Sequence, residues 1–142
     1  MIRIIQAILL MSFAFSVTGR EAVALIQREE LPIEDQVIIN KRDFYESCFD
    51  MEEGEILSFC FVAGFKLEYD IHYHKGDKTI TILGPSYGSD DCGVIRISES
   101  AEICMMWQND NFREATKLEY EAKLITEDEV GRRYDSDEID RR

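Results

Sequence analysis

Phe65-Lys66-Leu67-Glu68-Tyr69-Asp70-Ile71-His72-Tyr73-His74 decides how this sequence folds. Apolar and polar residues alternate through the whole stretch. Successive side chains of a strand point to opposite faces, so the pattern puts Phe65, Leu67, Tyr69, Ile71 and Tyr73 on one face. Lys66, Glu68, Asp70, His72 and His74 fall on the other, which reads as a solvated face. The neighbouring segments extend the theme. Residues 118–124 (LEYEAKL) alternate again, and their charges would encircle a helix. Residues 56–63 (ILSFCFVA) are nearly all apolar, as a central strand requires. Residues 101–107 put Ala101, Ile103, Met105 and Trp107 on one face, which makes Trp107 a core aromatic and not a ligand platform. Shorter strands are expected at 36–40, 78–83 and 94–98, with turns at 75–77 (KGD), 84–86 (GPS) and 88–90 (GSD). About seven short strands with no strong helix between them predict an all-β, antiparallel sandwich over residues 36–125.

The flanks differ from this block. Residues 1–19 (MIRIIQAILLMSFAFSVTG) hold one charge, Arg3, ahead of an apolar run. That is the build of a signal peptide, with cleavage expected after Gly19 or, alternatively, after Ser16. An uncleaved anchor is disfavoured, because a span needs about 20 apolar residues. No later stretch approaches that length, so no membrane span is expected after cleavage. Residues 20–35 (REAVALIQREELPIED) place Ala22, Leu25 and Ile26 at helical spacing, and one or two turns of helix are expected there. Residues 126–142 hold seven acids and four arginines, which reads as a solvated tail without structure.

The 142-residue chain carries 16 Lys+Arg against 29 Asp+Glu, for a net charge of −13. That balance excludes nucleic-acid binding, which needs clustered cations to displace counterions from phosphates. It equally excludes docking on anionic lipid. A secretory address permits disulfides, and Cys48, Cys60, Cys92 and Cys104 allow three pairings that spacing does not separate. The chain has no Asn-x-Ser/Thr sequon.

Few residues carry chemistry. His72 and His74, with Asp70 on the same face, form a His-x-His pattern able to chelate a metal, as in cupin-like barrels. The Glu shortly after it and the third His of such a site are missing, and the charged Lys66 and Glu68 alongside favour the solvated face. Residues 135–140 (DSDEID) lack the Gly and the closing Glu of a calcium loop. No phosphate-binding Gly-rich loop occurs, and both histidines sit on one strand. No catalytic residue and no cofactor are therefore expected, and the chain reads as non-enzymatic.

Three segments in order resemble a GOLD domain, the lumenal domain of the TMED cargo receptors of the early secretory pathway. Cys48-Phe49-Asp50-Met51-Glu52-Glu53-Gly54 ahead of an apolar strand is similar to that domain's start. Ile103-Cys104-Met105-Met106-Trp107-Gln108-Asn109 is similar to its apolar strand ending in aromatic-x-Asn. Lys117-Leu118-Glu119-Tyr120 resembles its final strand. The resemblance implies a jelly-roll-like β-sandwich that works by protein contact. It also implies a Cys48–Cys104 disulfide, closing a loop worth about 4 kcal/mol by chain entropy. Cys60–Cys92 is then left as a second bridge.

The expected function is a lumenal or secreted interaction module, with a role in ER–Golgi vesicle transport implied by the resemblance. Partners would be TMED-type receptors or secretory cargo, met by Lys66, Glu68, Asp70, His72 and His74 or by a sheet edge. The alternative is a secreted small-ligand or metal-binding sandwich that uses His72 and His74.

Overall fold

The computed structural model describes residues 30–132 in full and Leu25–Arg28 by its backbone. The expected targeting segment at 1–19 and residues 133–142 of the acidic tail lie outside the described residues. Within them the strands are β1 (Leu25–Arg28), β2 (Ile33–Ile39), β3 (Asp43–Met51), β4 (Ile56–Lys75), β5 (Lys78–Arg96), β6 (Ala101–Asn109) and β7 (Thr116–Ile125). The strand order is β1-β3-β6-β4-β7-β2, with β5 attached to β4. All pairings are antiparallel except β1 with β3, which is parallel.

β4 takes part in both layers. Ile56 to Ala63 pair with β7, and Glu68 to Tyr73 pair with β6. Between these halves the register with β5 shifts, from Val62 opposite Asp90 to Leu67 opposite Gly88. Such a bulge bends a strand and increases its twist. One layer therefore holds β2, β7 and the first half of β4. The other holds β1, β3, β6 and the second half of β4. β5 follows β4 across the corner.

Aromatic contacts show the layers face to face. Tyr45 of β3 and Tyr120 of β7 are not on paired strands, yet their hydroxyls lie 2.8 Å apart. Trp107 of β6 packs on Tyr120 with ring centroids 4.9 Å apart and on Phe61 at 5.9 Å. Leu57, Leu67, Ile71, Ile103 and Leu118 fill the rest of a continuous core. Burying each such side chain is worth roughly 1.5–3 kcal/mol.

The fold class is the expected one, and several boundaries are corrected. Residues 56–63 and 65–74 form one strand, because the chain bends at a bulge and β5 pairs with it on both sides. The turns expected at 84–86 and 88–90 lie inside β5. Gly84 sits there at φ +89°, and a Cβ on it would stand 2.7 Å from the Tyr69 carbonyl, so this glycine shapes an irregular strand instead of ending one. Where helix was expected in 20–35, the described residues form β1 and the start of β2. Strand pairing outweighs the weak helical spacing there. Residues 127–132 of the expected unstructured tail form a short helix. Glu129 Oε2 accepts from the Thr126 backbone N–H at 2.8 Å and the Glu129 N–H donates to the Thr126 carbonyl at 3.1 Å, a Thr-x-x-Glu start signal.

Asn109 pins the end of β6. Its side chain is fully buried. Nδ2 donates to the carbonyls of Ile39, Asn40 and Glu114 at 3.2, 3.0 and 3.0 Å. Oδ1 accepts from the Asn111 N–H at 3.0 Å. The side chain thus joins the end of β2 to the β6–β7 connection.

The disulfides are Cys48–Cys104 and Cys60–Cys92, and no described cysteine is free. Each joins directly opposite residues, one across β3 and β6 and the other across β4 and β5. Disulfides of this kind belong to an oxidising compartment, extracellular or secretory. Among the described residues no helix is long and apolar enough to cross a membrane.

Two outcomes follow. Asn109→Ala should lower unfolding free energy by roughly 1–3 kcal/mol, because it removes the donor shared by the buried Ile39 carbonyl and the part-buried Asn40 and Glu114 carbonyls; urea denaturation reads this, and a loss below about 0.5 kcal/mol would contradict it. Non-reducing peptide mapping should recover the Cys48–Cys104 and Cys60–Cys92 peptides and no alkylated thiol.

Candidate functional site

The outer face of the β3–β6–β4 layer carries the only described histidines. Cys48 and Cys104 are directly opposite each other on it, and His72 is directly opposite Cys104. Glu46 of β3 reaches over β6 toward His72. Its Oε1 lies 3.2 Å from His72 Nε2, while Asp70 Oδ1 lies 2.6 Å from His72 Nδ1. A carboxylate only accepts, so both contacts are hydrogen bonds when both ring nitrogens carry protons. The Asp70 bond is the main cause that pushes the His72 pKa up to about 9, with Glu46 second and burial pulling the other way. In that state His72 has no lone pair with which to act as a general base.

This corrects the solvated face expected from the alternation. His72 is only 5% exposed and Glu46 only 7%. Lys66 and His74 are exposed, whereas Glu68 and Asp70 are half-buried. Glu68 accepts a hydrogen bond from the Tyr87 hydroxyl. The expected interaction surface of Lys66, Glu68, Asp70, His72 and His74 is therefore not one open patch. His74 packs edge-on against His72 with ring centroids 5.0 Å apart, and its Nδ1 stands 3.3 Å from the Thr79 hydroxyl oxygen. Glu46 was missed, although Tyr45, Ser47, Phe49 and Met51 alternate with Glu46, Cys48 and Asp50. Period two would have identified that strand.

The second site is a groove of about 600 Å³ on the outer face of the β2–β7–β4 layer. Its lining includes Glu34, Asp35, Gln36, Val62, Glu119 and Glu121. Glu34 and Glu121 are directly opposite across β2 and β7, as are Gln36 and Glu119. Lys117 pairs with Glu119. Val62, in the groove, is 58% exposed, and Ile38 further along the edge strand β2 is 59% exposed. These acids lie in two separate sequence segments and Val62 in a third, and only strand pairing brings them together.

No protein-family model matches the chain, and no curated protein matches it. Solved structures do. The pre-peptidase C-terminal domain of collagenase from Bacillus anthracis aligns with a TM-score of 0.55 at 9% identity, over 73% of this chain and 100% of that one. PliG of Aeromonas hydrophila, a periplasmic lysozyme inhibitor of g-type lysozyme, aligns with a TM-score of 0.52 at 7% identity, over 70% of this chain and 96% of that one. At these identities the likeness is one of fold.

The His72 clamp makes stability depend on pH. The folded pKa of about 9 exceeds the ordinary 6.5, so between those values the folded state binds more protons than the unfolded. The stabilisation is complete below pH 6.5 and is lost as pH rises through about 9. It amounts to roughly 3 kcal/mol. His72→Gln should flatten this part of the urea-stability profile, and parallel profiles for variant and wild type would refute the clamp.

Proposed function

We propose that this chain is a non-catalytic, extracytosolic binding module that holds a cationic protein surface in its acidic groove. The observation that carries the reading is the Glu34–Glu121 pair. Like charges directly opposite on neighbouring strands destabilise a sheet, by an amount within the 0.2–1 kcal/mol scale of such pairs. Glu119 and Asp35 deepen the negative potential, and Lys117 offsets one charge. A lysine or arginine seated between Glu34 and Glu121 relieves the repulsion, and Val62 adds apolar contact. The two disulfides support the extracytosolic address. The chain's net charge of −13 favours electrostatic attraction of a cationic partner.

A role in ER–Golgi transport, from the GOLD resemblance, is a narrower form of this reading; the two structures described above are a pre-peptidase C-terminal domain and a lysozyme inhibitor. The likeness to PliG supplies another defined partner to try, a g-type lysozyme.

The test pairs stability with binding. Glu121→Lys should stabilise the isolated protein by up to about 1 kcal/mol, because it turns a repulsive cross-strand pair into an attractive one. The same variant should lose binding to the purified partner, found by capture from secretory and extracellular fractions and tested beside a g-type lysozyme and TMED receptors. Wild-type binding should weaken as salt rises. A partner retained equally by wild type and Glu34→Lys/Glu121→Lys would overturn the reading.

A further inference from the structure

We propose that Glu46, His72 and His74 form a binding site for a single divalent transition-metal ion, zinc in the first place, with Asp70 holding the His72 ring. The site is on the other layer from the acidic groove and does not rest on the groove's reading.

One ligand atom from each of these three residues lies within 4.8 Å of the others. Cys104 Sγ shares the cluster but is held in its disulfide, so it offers no thiolate. The donor set is two imidazoles and one carboxylate, which suits zinc with a fourth position left for water.

The spacing fits as well. Ligands about 2.0–2.1 Å from a tetrahedral zinc stand roughly 3.3 Å from one another. Glu46 Oε1 and His72 Nε2 stand 3.2 Å apart. The ion takes the place of the Nε2 proton, which leaves to solvent. His74 is exposed, so its ring can rotate to complete the set without repacking the core.

The other side of His72 is already arranged for a ligand. Metal-bound histidines nearly always donate their second ring N–H to a carboxylate or carbonyl. Asp70 Oδ1 occupies that place at 2.6 Å from Nδ1. Across from His72, the Cys48–Cys104 bridge fixes the spacing of β3 and β6, and with it the reach of Glu46.

The decisive measurement uses the full disulfide-bonded protein, stripped with chelator and titrated with zinc chloride by calorimetry. One ion per chain is expected. Cobalt should give the intense visible bands of a four-coordinate site. His74→Ala, at an exposed position that leaves the fold intact, should weaken binding at least tenfold, and Glu46→Gln should do the same. Asp70→Asn should weaken it by about 10- to 100-fold while leaving one ion per chain. The wild-type titration and His74→Ala decide even where Glu46→Gln fails to fold. Absence of wild-type binding overturns the proposal. So does binding at other than one ion per chain, or binding that His74→Ala leaves unchanged.

Discussion

Everything in this fold hangs on β4 keeping paired neighbours on both sides of a corner. A strand that changes layers would strand its backbone groups unless each finds a partner. β5 pairs with both halves of β4 and bends with it. β7 serves the first half and β6 the second. At the corner the Gly64 N–H donates to the Thr116 side-chain hydroxyl at 3.1 Å. A Cβ on Gly64 would stand 3.1 Å from that oxygen, so a small residue is favoured where the two segments cross. Cys60–Cys92 then locks the first half of the β4–β5 hairpin, and Cys48–Cys104 locks β3 against β6. The Tyr45, Trp107 and Tyr120 rings close the space between the layers.

What was legible in the sequence is what depends on local period. Alternation in 65–74 and 118–124 identifies strands and their inward faces, and Leu67, Tyr69, Ile71, Tyr73, Leu118 and Tyr120 are buried. The apolar run at 56–63 identifies the centre of the sheet. Glycine and proline in 84–90 signal irregular backbone but do not say whether it ends a strand or bends one. Gly84 and Pro85 serve a bend, because β4 continues opposite them. The Trp107-x-Asn109 motif had no physical explanation as sequence; it has one in the carbonyls that Asn109 gathers. The Cys48–Cys104 bridge is the one the family resemblance implied, Cys60–Cys92 joins the two cysteines it left over, and spacing alone chose neither.

The sites were less legible, for a different physical reason. Period two assigns a residue to a face, but burial on that face depends on what neighbouring strands carry. His72 looks solvated beside Lys66 and Glu68. It is buried because Glu46 reaches across from a strand that lies two places away in the sheet. Likewise Glu34, Val62, Glu119 and Glu121 are unremarkable in their own segments. They become a groove only through the β2–β7–β4 register. Register is a global property of the fold, and a local pattern constrains it only to odd or even.

The two outer faces handle acidity in opposite ways. On the β3–β6–β4 face, Glu46 and Asp70 are half-buried or buried, and burying uncompensated charge is costly. His72 compensates both at once, which is why its proton is held so tightly. On the β2–β7–β4 face the acids are open to water, and the directly opposed Glu34 and Glu121 have no cation between them in the cross-strand register. Solvent screening makes that tolerable in the isolated chain. Screening is also what a docking protein would remove. A partner covering the groove must supply the missing positive charge, since desolvating two facing carboxylates without it would oppose binding. On the proposed reading, the negative excess of the chain acts as a selection rule at this face. It would favour cationic surfaces over neutral or acidic ones, while on the other face His72 already offsets one of the two carboxylate charges from within.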